Sequence, residues 1–262
     1  MLTLAFNFRI AEADSEPPVT EWSRTYGGAG EDHAYSMVPT SDGGFALAGY
    51  TLSYGVGGYD FWLVKTDSSG TLQWNKTYGG AGNDVARSIV QTGDGGYAMV
   101  GITTSYGDIS GDFWLVKTDS SGTMQWNRTY AGASDDDANS VIQTGDGGYA
   151  IAGWTRSFGA GRADFWFVKT DSAGNLIWSR TYGGWDDDYA FSVVQTGDRG
   201  YAIGGYAASY GAGAYDFWLV KTDSAGNALW SQTYGAGGYE HAWAMVQTSS
   251  GGYAIAGDTS SY

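Results

Sequence analysis

The chain has 262 residues and a net charge of −15, from 28 acidic and 13 basic side chains, a balance that argues against nucleic acid or an anionic membrane surface as partner. Glycine supplies 43 residues, Tyr 20 and Trp 12, against three Pro and no Cys. That mix excludes a disulfide framework, thiolate catalysis, a zinc–thiolate site and a collagen-like repeat, and it suits many short strands joined by tight turns.

The first 18 residues admit two readings. "MLTLAFNFRIAEADSEPP" holds an apolar run followed by Ala11-Glu12-Ala13, which matches the end of a secretory signal, although the basic leader is missing. Alternatively, "LTLAFNF", residues 2 to 8, is a strand that closes the fold. No run approaches transmembrane length, so no membrane insertion is expected.

From residue 19 onward the sequence repeats. Trp22, Trp74, Trp126, Trp178 and Trp230 recur at a constant period of 52 residues, so each unit occupies an equivalent place. In the second unit, "ARSIVQT" from Ala86, "YAMVGIT" from Tyr97, "DFWLVKT" from Asp112 and "MQWNRTY" from Met124 read as four strands separated by "GDGG", "TSYGDISG" and "DSSG". In "DFWLVKT", Phe113, Leu115 and Lys117 face one way and Trp114, Val116 and Thr118 the other, so both faces are covered by neighbouring sheets. "YAIAGW" places the small Ala150, Ala152 and Gly153 where another sheet must approach closely. The expected fold is an all-β propeller of four-stranded antiparallel blades over residues 19–262. The third strand occurs four times and the others five, so either the N-terminal strand closes a five-bladed ring or the chain belongs to a longer array.

The "G-x-x-x-W" of each unit (Gly70 to Trp74, Gly122 to Trp126, Gly174 to Trp178, Gly226 to Trp230) resembles the docking motif of quinoprotein-like β-propellers. The whole unit, "DGGYAIAG…DFWLVKTDSSG…WNKTYGG", resembles the uncharacterised extracellular propeller repeats of archaeal and bacterial surface proteins. This resemblance implies the fold and implies no chemistry.

Residues identical in every unit serve what every blade needs, whereas residues that vary at one repeat position are free for specificity. Trp62, Trp114, Trp166 and Trp218 are therefore read as packing between blades. Asp67, Asp119, Asp171 and Asp223 are read as turn residues, with the nearby lysines 65, 117, 169 and 221 belonging to the same turn chemistry. Two acidic series are candidate ligand contacts around one mouth of the channel. Asp60, Asp112, Asp164 and Asp216 open the third strand, and Asp32, Asp84, Asp136, Asp188 and Glu240 precede the first. The second series is a candidate calcium site; otherwise its carboxylates bond loop amides or pair with Arg24, Lys76, Arg128 or Arg180. No other cofactor is expected.

The variable positions are the better recognition candidates. After the invariant second-strand glycine come Tyr50, Ile102, Trp154, Tyr206 and Asp258, and the first strand contributes Tyr35, Arg87, Asn139, Phe191 and Trp243. Tyr54, Tyr106, Phe158, Tyr210 and Trp185 join them from loops. Flat rings beside carboxylates and amides are what a sugar ring needs. His33 and His241 share one repeat position with Val85, Asp137 and Tyr189 and are a candidate metal pair only if a third ligand exists.

The functional expectation is a non-catalytic, secreted or cell-surface prokaryotic protein that binds a glycan or protein through its loop face, as a monomer or as part of a larger multidomain surface protein. A surface-array spacer is the structural alternative. A polysaccharide hydrolase or lyase working through the acidic rings is the enzymatic one.

Overall fold

The computed structural model describes residues 2–5, 21–107 and 110–261. Two short strands, β1 (Leu2–Ala5) and β2 (Ser23–Tyr26), precede the first full blade. Blade one is β3 (Asp32–Pro39), β4 (Phe45–Thr51), β5 (Asp60–Thr66) and β6 (Leu72–Tyr78); blade two is β7 (Asp84–Gln91), β8 (Tyr97–Thr103), β9 (Asp112–Thr118) and β10 (Met124–Tyr130). Blade three is β11 (Asp136–Gln143), β12 (Tyr149–Thr155), β13 (Asp164–Thr170) and β14 (Leu176–Tyr182). Blade four is β15 (Asp188–Gln195), β16 (Tyr201–Ala207), β17 (Asp216–Thr222) and β18 (Ala228–Tyr234), and β19 (Glu240–Gln247) and β20 (Tyr253–Thr259) follow. Each full blade is an antiparallel meander, and successive blades stack face to face in the manner of a β-propeller.

In the second unit three of the four strands begin where the sequence places them. The first begins two residues earlier, at Asp84 rather than Ala86, because the Asp84 backbone pairs with Thr103 at the end of β8.

The alternation within "DFWLVKT" sets the core. Phe61 and Leu63 of one blade pack on Trp114 and Val116 of the next, Phe113 and Leu115 pack on Trp166 and Val168, and Phe165 and Phe167 pack on Trp218 and Val220. The Phe and Trp ring centroids meet at 4.4–4.6 Å. Trp114 is fully buried, which at ~25 cal/mol per Å2 over roughly 200 Å2 is worth about 5 kcal/mol of transfer free energy.

The G-x-x-x-W motif docks each blade on the one before it. A Cβ on Gly122 would lie 2.7 Å from the Trp74 ring, and the Tyr78 hydroxyl donates to the Gly122 carbonyl at 2.6 Å.

β1 pairs with β2 in the register of a third strand beside a fourth, Leu2 opposite Tyr26 as Phe61 is opposite Tyr78. The expected closure would also need β20 beside β1. β19 and β20 instead form a two-stranded sheet of their own, and β20 has no third-strand partner among the described residues. Residues 6–18, which include the remainder of the proposed closing strand and the Ala11–Ala13 cleavage motif, lie outside the described residues.

The invariant turn residues behave as turn chemistry demands. Asp119 Oδ1 accepts from the amides of Ser121 and Thr123 at 2.8 and 2.9 Å, and Gly122 takes φ +76°. Lys117 belongs elsewhere. Buried at 4% exposure, it reaches across the sheet to Asp94 in the "GDGG" turn, with Nζ to Oδ2 at 2.8 Å, and also donates to the carbonyl of Thr118 and to Oε1 of Gln125. Lys65, Lys169 and Lys221 make the same bridge to Asp42, Asp146 and Asp198.

Candidate functional site

Every first strand carries a β-bulge at one repeat position. The register shifts between Ala34 and Ser36, Ala86 and Ser88, Ala138 and Ser140, Ala190 and Ser192, and Ala242 and Ala244. The extra residues are Tyr35, Arg87, Asn139, Phe191 and Trp243, the variable first-strand series. A bulge re-aims its side chain, so one backbone irregularity repeated in five units presents five unlike groups in equivalent positions.

The bulge also explains the invariant second-strand glycine. A Cβ on Gly153 would lie 2.1 Å from the carbonyl oxygen of Asp137, and the same contact is 1.8 Å at Gly49, 1.9 Å at Gly101, 2.0 Å at Gly205 and 1.9 Å at Gly257. The close neighbour is thus the blade's own bulged strand. At Gly153 the Phe113 ring of the preceding blade also lies 2.8 Å from that Cβ position, while Ala150 and Ala152 provide the close sheet-to-sheet approach expected of small residues.

All five bulge residues line one cavity of about 580 Å3, together with Asp137, Trp154, Tyr189 and Tyr206. Residue 137 faces 154 across the first and second strands, as 189 faces 206. This cup lies at the end of the blades where those two strands meet the long loops. One side is aromatic: Phe191 stacks on Tyr206 at 5.4 Å and meets Trp243 edge-on at 4.8 Å, and Trp154 meets Tyr189 at 5.3 Å. The other side is polar. Arg87 lies over the Tyr35 ring at 5.1 Å and its Nη2 donates to Asp137 Oδ2 at 3.1 Å, while the Asn139 amide donates to the carbonyl of Ala190.

Asp137 is the unusual member. It is 5% exposed, burial pushes its carboxyl up, and the Arg87 guanidinium opposes that shift. Its Oδ1 and the Arg87 Nε are buried without a hydrogen-bond partner among the described residues.

The acidic series stand elsewhere. Asp32, Asp84, Asp136, Asp188 and Glu240 are the first residues of their strands, buried in the loop joints. Asp32 accepts from the hydroxyls of Thr51 and Ser53 and from the amide of Gly28; burial pushes its carboxyl up, but these bonds outweigh it and hold it below the usual range. Asp136 and Asp188 accept similar bonds, but there burial wins and raises them. The expected alternative partners Arg24, Arg128 and Arg180 instead donate to carbonyls of their own strands.

Asp60, Asp164 and Asp216 clamp the loop before them, accepting from the amides of Val56, Ala160 and Ala212. Asp112 is buried at the same position. Neither series lines the cup. No group of three or more His, Cys, Asp or Glu able to hold a metal occurs among the described residues. His33 bonds Glu31 and His241 bonds Asp258, each within its own blade.

Of the aromatic candidates, the cup gathers Tyr35, Trp154, Phe191, Tyr206 and Trp243. Tyr50 is buried behind it, stacked on His33 and donating to Glu31. Tyr54 and Tyr210 roof Trp62 and Trp218 and donate to the carbonyls of Gly27 and Gly183, so they hold loops. Trp185 stands 90% exposed in the loop before β15.

A larger cavity, of about 820 Å3, lies at the opposite end of the blades. Its lining is mostly repeated turn and docking residues, among them Asp146, Lys169 and Trp178, so its volume reflects the joint between two blades.

No protein-family model and no curated protein matches the chain. Among solved structures it is similar to a protein of unknown function from Bacteroides caccae, at TM-score 0.57 and 11% identity over 90% of this chain and 74% of that one. Weaker likenesses are to Sqt1 from Chaetomium thermophilum, at TM-score 0.39 and 13% identity over 82% of this chain and 64% of that one, and to a eukaryotic initiation factor, at 0.38 and 10% over 82% and 57%. The first supports the propeller-like repeat fold and carries no function.

Proposed function

We propose that this protein is a non-catalytic, secreted or surface-displayed prokaryotic propeller that binds a glycan in its central cup. The observation that carries the reading is convergence: the five variable first-strand positions of otherwise near-identical blades meet in one concavity, joined by Trp154 and Tyr206 of the variable second-strand series, while the repeated residues build the frame. A cavity of about 580 Å3 falls within the size usual for small-ligand sites. Its shape favours the end or a short stretch of a saccharide over a flat protein epitope.

Phe191, Tyr206, Trp243 and Trp154 offer ring faces to the apolar side of a pyranose, and Arg87, Asp137 and Asn139 offer groups for its hydroxyls. Trp185, at the loop that leads into the cup-lining strand β15, provides a stacking surface for a longer chain. The carboxylates of the two acidic series are engaged in loop bonds outside the cup, and Asp137 is a single carboxylate where glycoside hydrolysis usually uses a pair, which favours binding over turnover.

The test is a glycan array followed by calorimetric titration of the hits. Trp154→Ala and Trp243→Ala are expected to weaken binding at least tenfold while leaving the melting temperature within a few degrees. An array with no signal for any saccharide class would sink the proposal.

A further inference from the structure

Asp137 departs from its repeat position in a way that packing does not require. The equivalent residues are His33, Val85, Tyr189 and His241, so an apolar or aromatic side chain fits there, and Asp137 alone places a carboxylate in the cup. A buried carboxylate costs several kcal/mol unless pairing and hydrogen bonds offset it. Here the offset is incomplete: one bond joins Arg87 Nη2 to Oδ2, and the second oxygen and the guanidinium Nε have none among the described residues. Most side-chain polar atoms buried to this degree are bonded. A carboxylate and a guanidinium left half-bonded side by side present an acceptor and a donor a few ångströms apart.

We propose that the Arg87–Asp137 pair is the specificity determinant of the cup and reads two neighbouring hydroxyls of a neutral pyranose, the guanidinium donating to one oxygen and the carboxylate accepting from the other hydroxyl. This rests on the glycan-binding reading above and adds the ligand's recognition element. Both orphan atoms are buried, so reading the diol requires the pair to rotate about its existing bridge as the ring enters. The aromatic side holds the opposite, apolar face of the same ring. A net charge of −15 and a carboxylate in the site disfavour uronic acids and sulfated sugars, so the ligand is a neutral hexose with a vicinal diol.

The experiment titrates wild type, Asp137→Asn and the charge-free Arg87→Gln/Asp137→Asn double variant with methyl glycopyranosides and their monodeoxy analogues, monitoring binding by calorimetry and folding by thermal melts. In wild type, loss of one of the two hydroxyls is expected to cost about tenfold to a hundredfold in affinity. In Asp137→Asn, which keeps the shape, that penalty should fall to about threefold or less, and the double variant should show none. If the parent glycoside binds but every variant suffers the wild-type penalty, the pair does not read the diol and this inference fails while the glycan reading stands. If no glycoside binds folded wild type, the glycan reading itself fails and this one with it. The double variant guards against Arg87 being left buried and unpaired in Asp137→Asn.

Discussion

Replacing Gly153 by alanine tests whether the bulge that builds the cup depends on the glycine facing it. The new Cβ would lie 2.1 Å from Asp137 O, 2.8 Å from Ala138 Cα and 2.8 Å from Phe113 Cζ. Two of those atoms are backbone, so no rotamer change relieves the clash and the bulged strand must shift. Overpacking of this kind costs about 1–3 kcal/mol and sits at the upper end where backbone has to move. At roughly 2–4 °C per kcal/mol for a chain of this size, the melting temperature should fall by about 6–12 °C.

The control is Gly147→Ala, where φ is +82° but the nearest neighbour, Ser172 Cβ, is 3.9 Å away. There only the left-handed backbone is penalised, at about 1 kcal/mol. Thermal melts of both variants decide the matter, and a displaced bulge should also cost ligand affinity through Asp137 and Asn139. Equal destabilisation by the two alanines would refute the steric reasoning.

The sheet-spanning lysines give a second prediction. Asp94→Ala strands the buried Lys117 ammonium and should cost about 2 kcal/mol, less than a fully buried pair because Asp94 is half-exposed, whereas Lys117→Met removes the charge and should cost less; denaturant titration compares them. Acid sensitivity follows from the same bridges. Burial opposes ionisation of Asp94 and Asp146, but the lysines, the threonine hydroxyls and the turn amides hold both at about 2, below the unfolded value. Their contribution is therefore complete above the unfolded pKa and lost as pH falls toward 2, and Asp94→Asn/Asp146→Asn should flatten that limb of the stability profile. Asp137 has the opposite sign. Its raised carboxyl contributes stability at low pH that is lost as pH rises through its folded value, so Asp137→Asn should remove that decline. Finally, Arg199 has φ 64°, the one positive value at a non-glycine among the described residues, at a position the other units fill with Gly43, Gly95, Gly147 and Gly251. Arg199→Gly should stabilise by about 0.5 kcal/mol, since relief of backbone strain exceeds the added entropy of the unfolded chain, and a lower melting temperature would contradict this.

How much of this was legible in the sequence depends on whether the cause was local. The strand order, the alternation of Phe113 and Trp114 between faces and the Asp119–Gly122 turn follow from a short window, and the constant period carries them to every blade. The Lys117 bridge does not, because its partner Asp94 sits 23 residues away across the sheet. The acidic series was legible in part: bonding to loop amides was one of the two readings the sequence offered, whereas the hydroxyls of Thr51 and Ser53, some 20 residues from Asp32, come to it only through the fold. The cup was half legible. Variation at 35, 87, 139, 191 and 243 marked those positions as free for recognition, and the structure adds why they converge, namely a bulge that a glycine on the next strand permits. Asp137 was visible only as a member of the histidine series; its burial against Arg87, 50 residues away, was not.

The most direct test of the central claim is equilibrium titration of wild type and of Phe191→Ala, Trp154→Ala and Trp243→Ala with a saccharide selected on the array, alongside the loop control Tyr54→Ala. The cup variants should each lose at least tenfold in affinity with the fold intact, and the control should bind as wild type does. Unchanged binding in all three cup variants would place the ligand outside the cup and contradict the account.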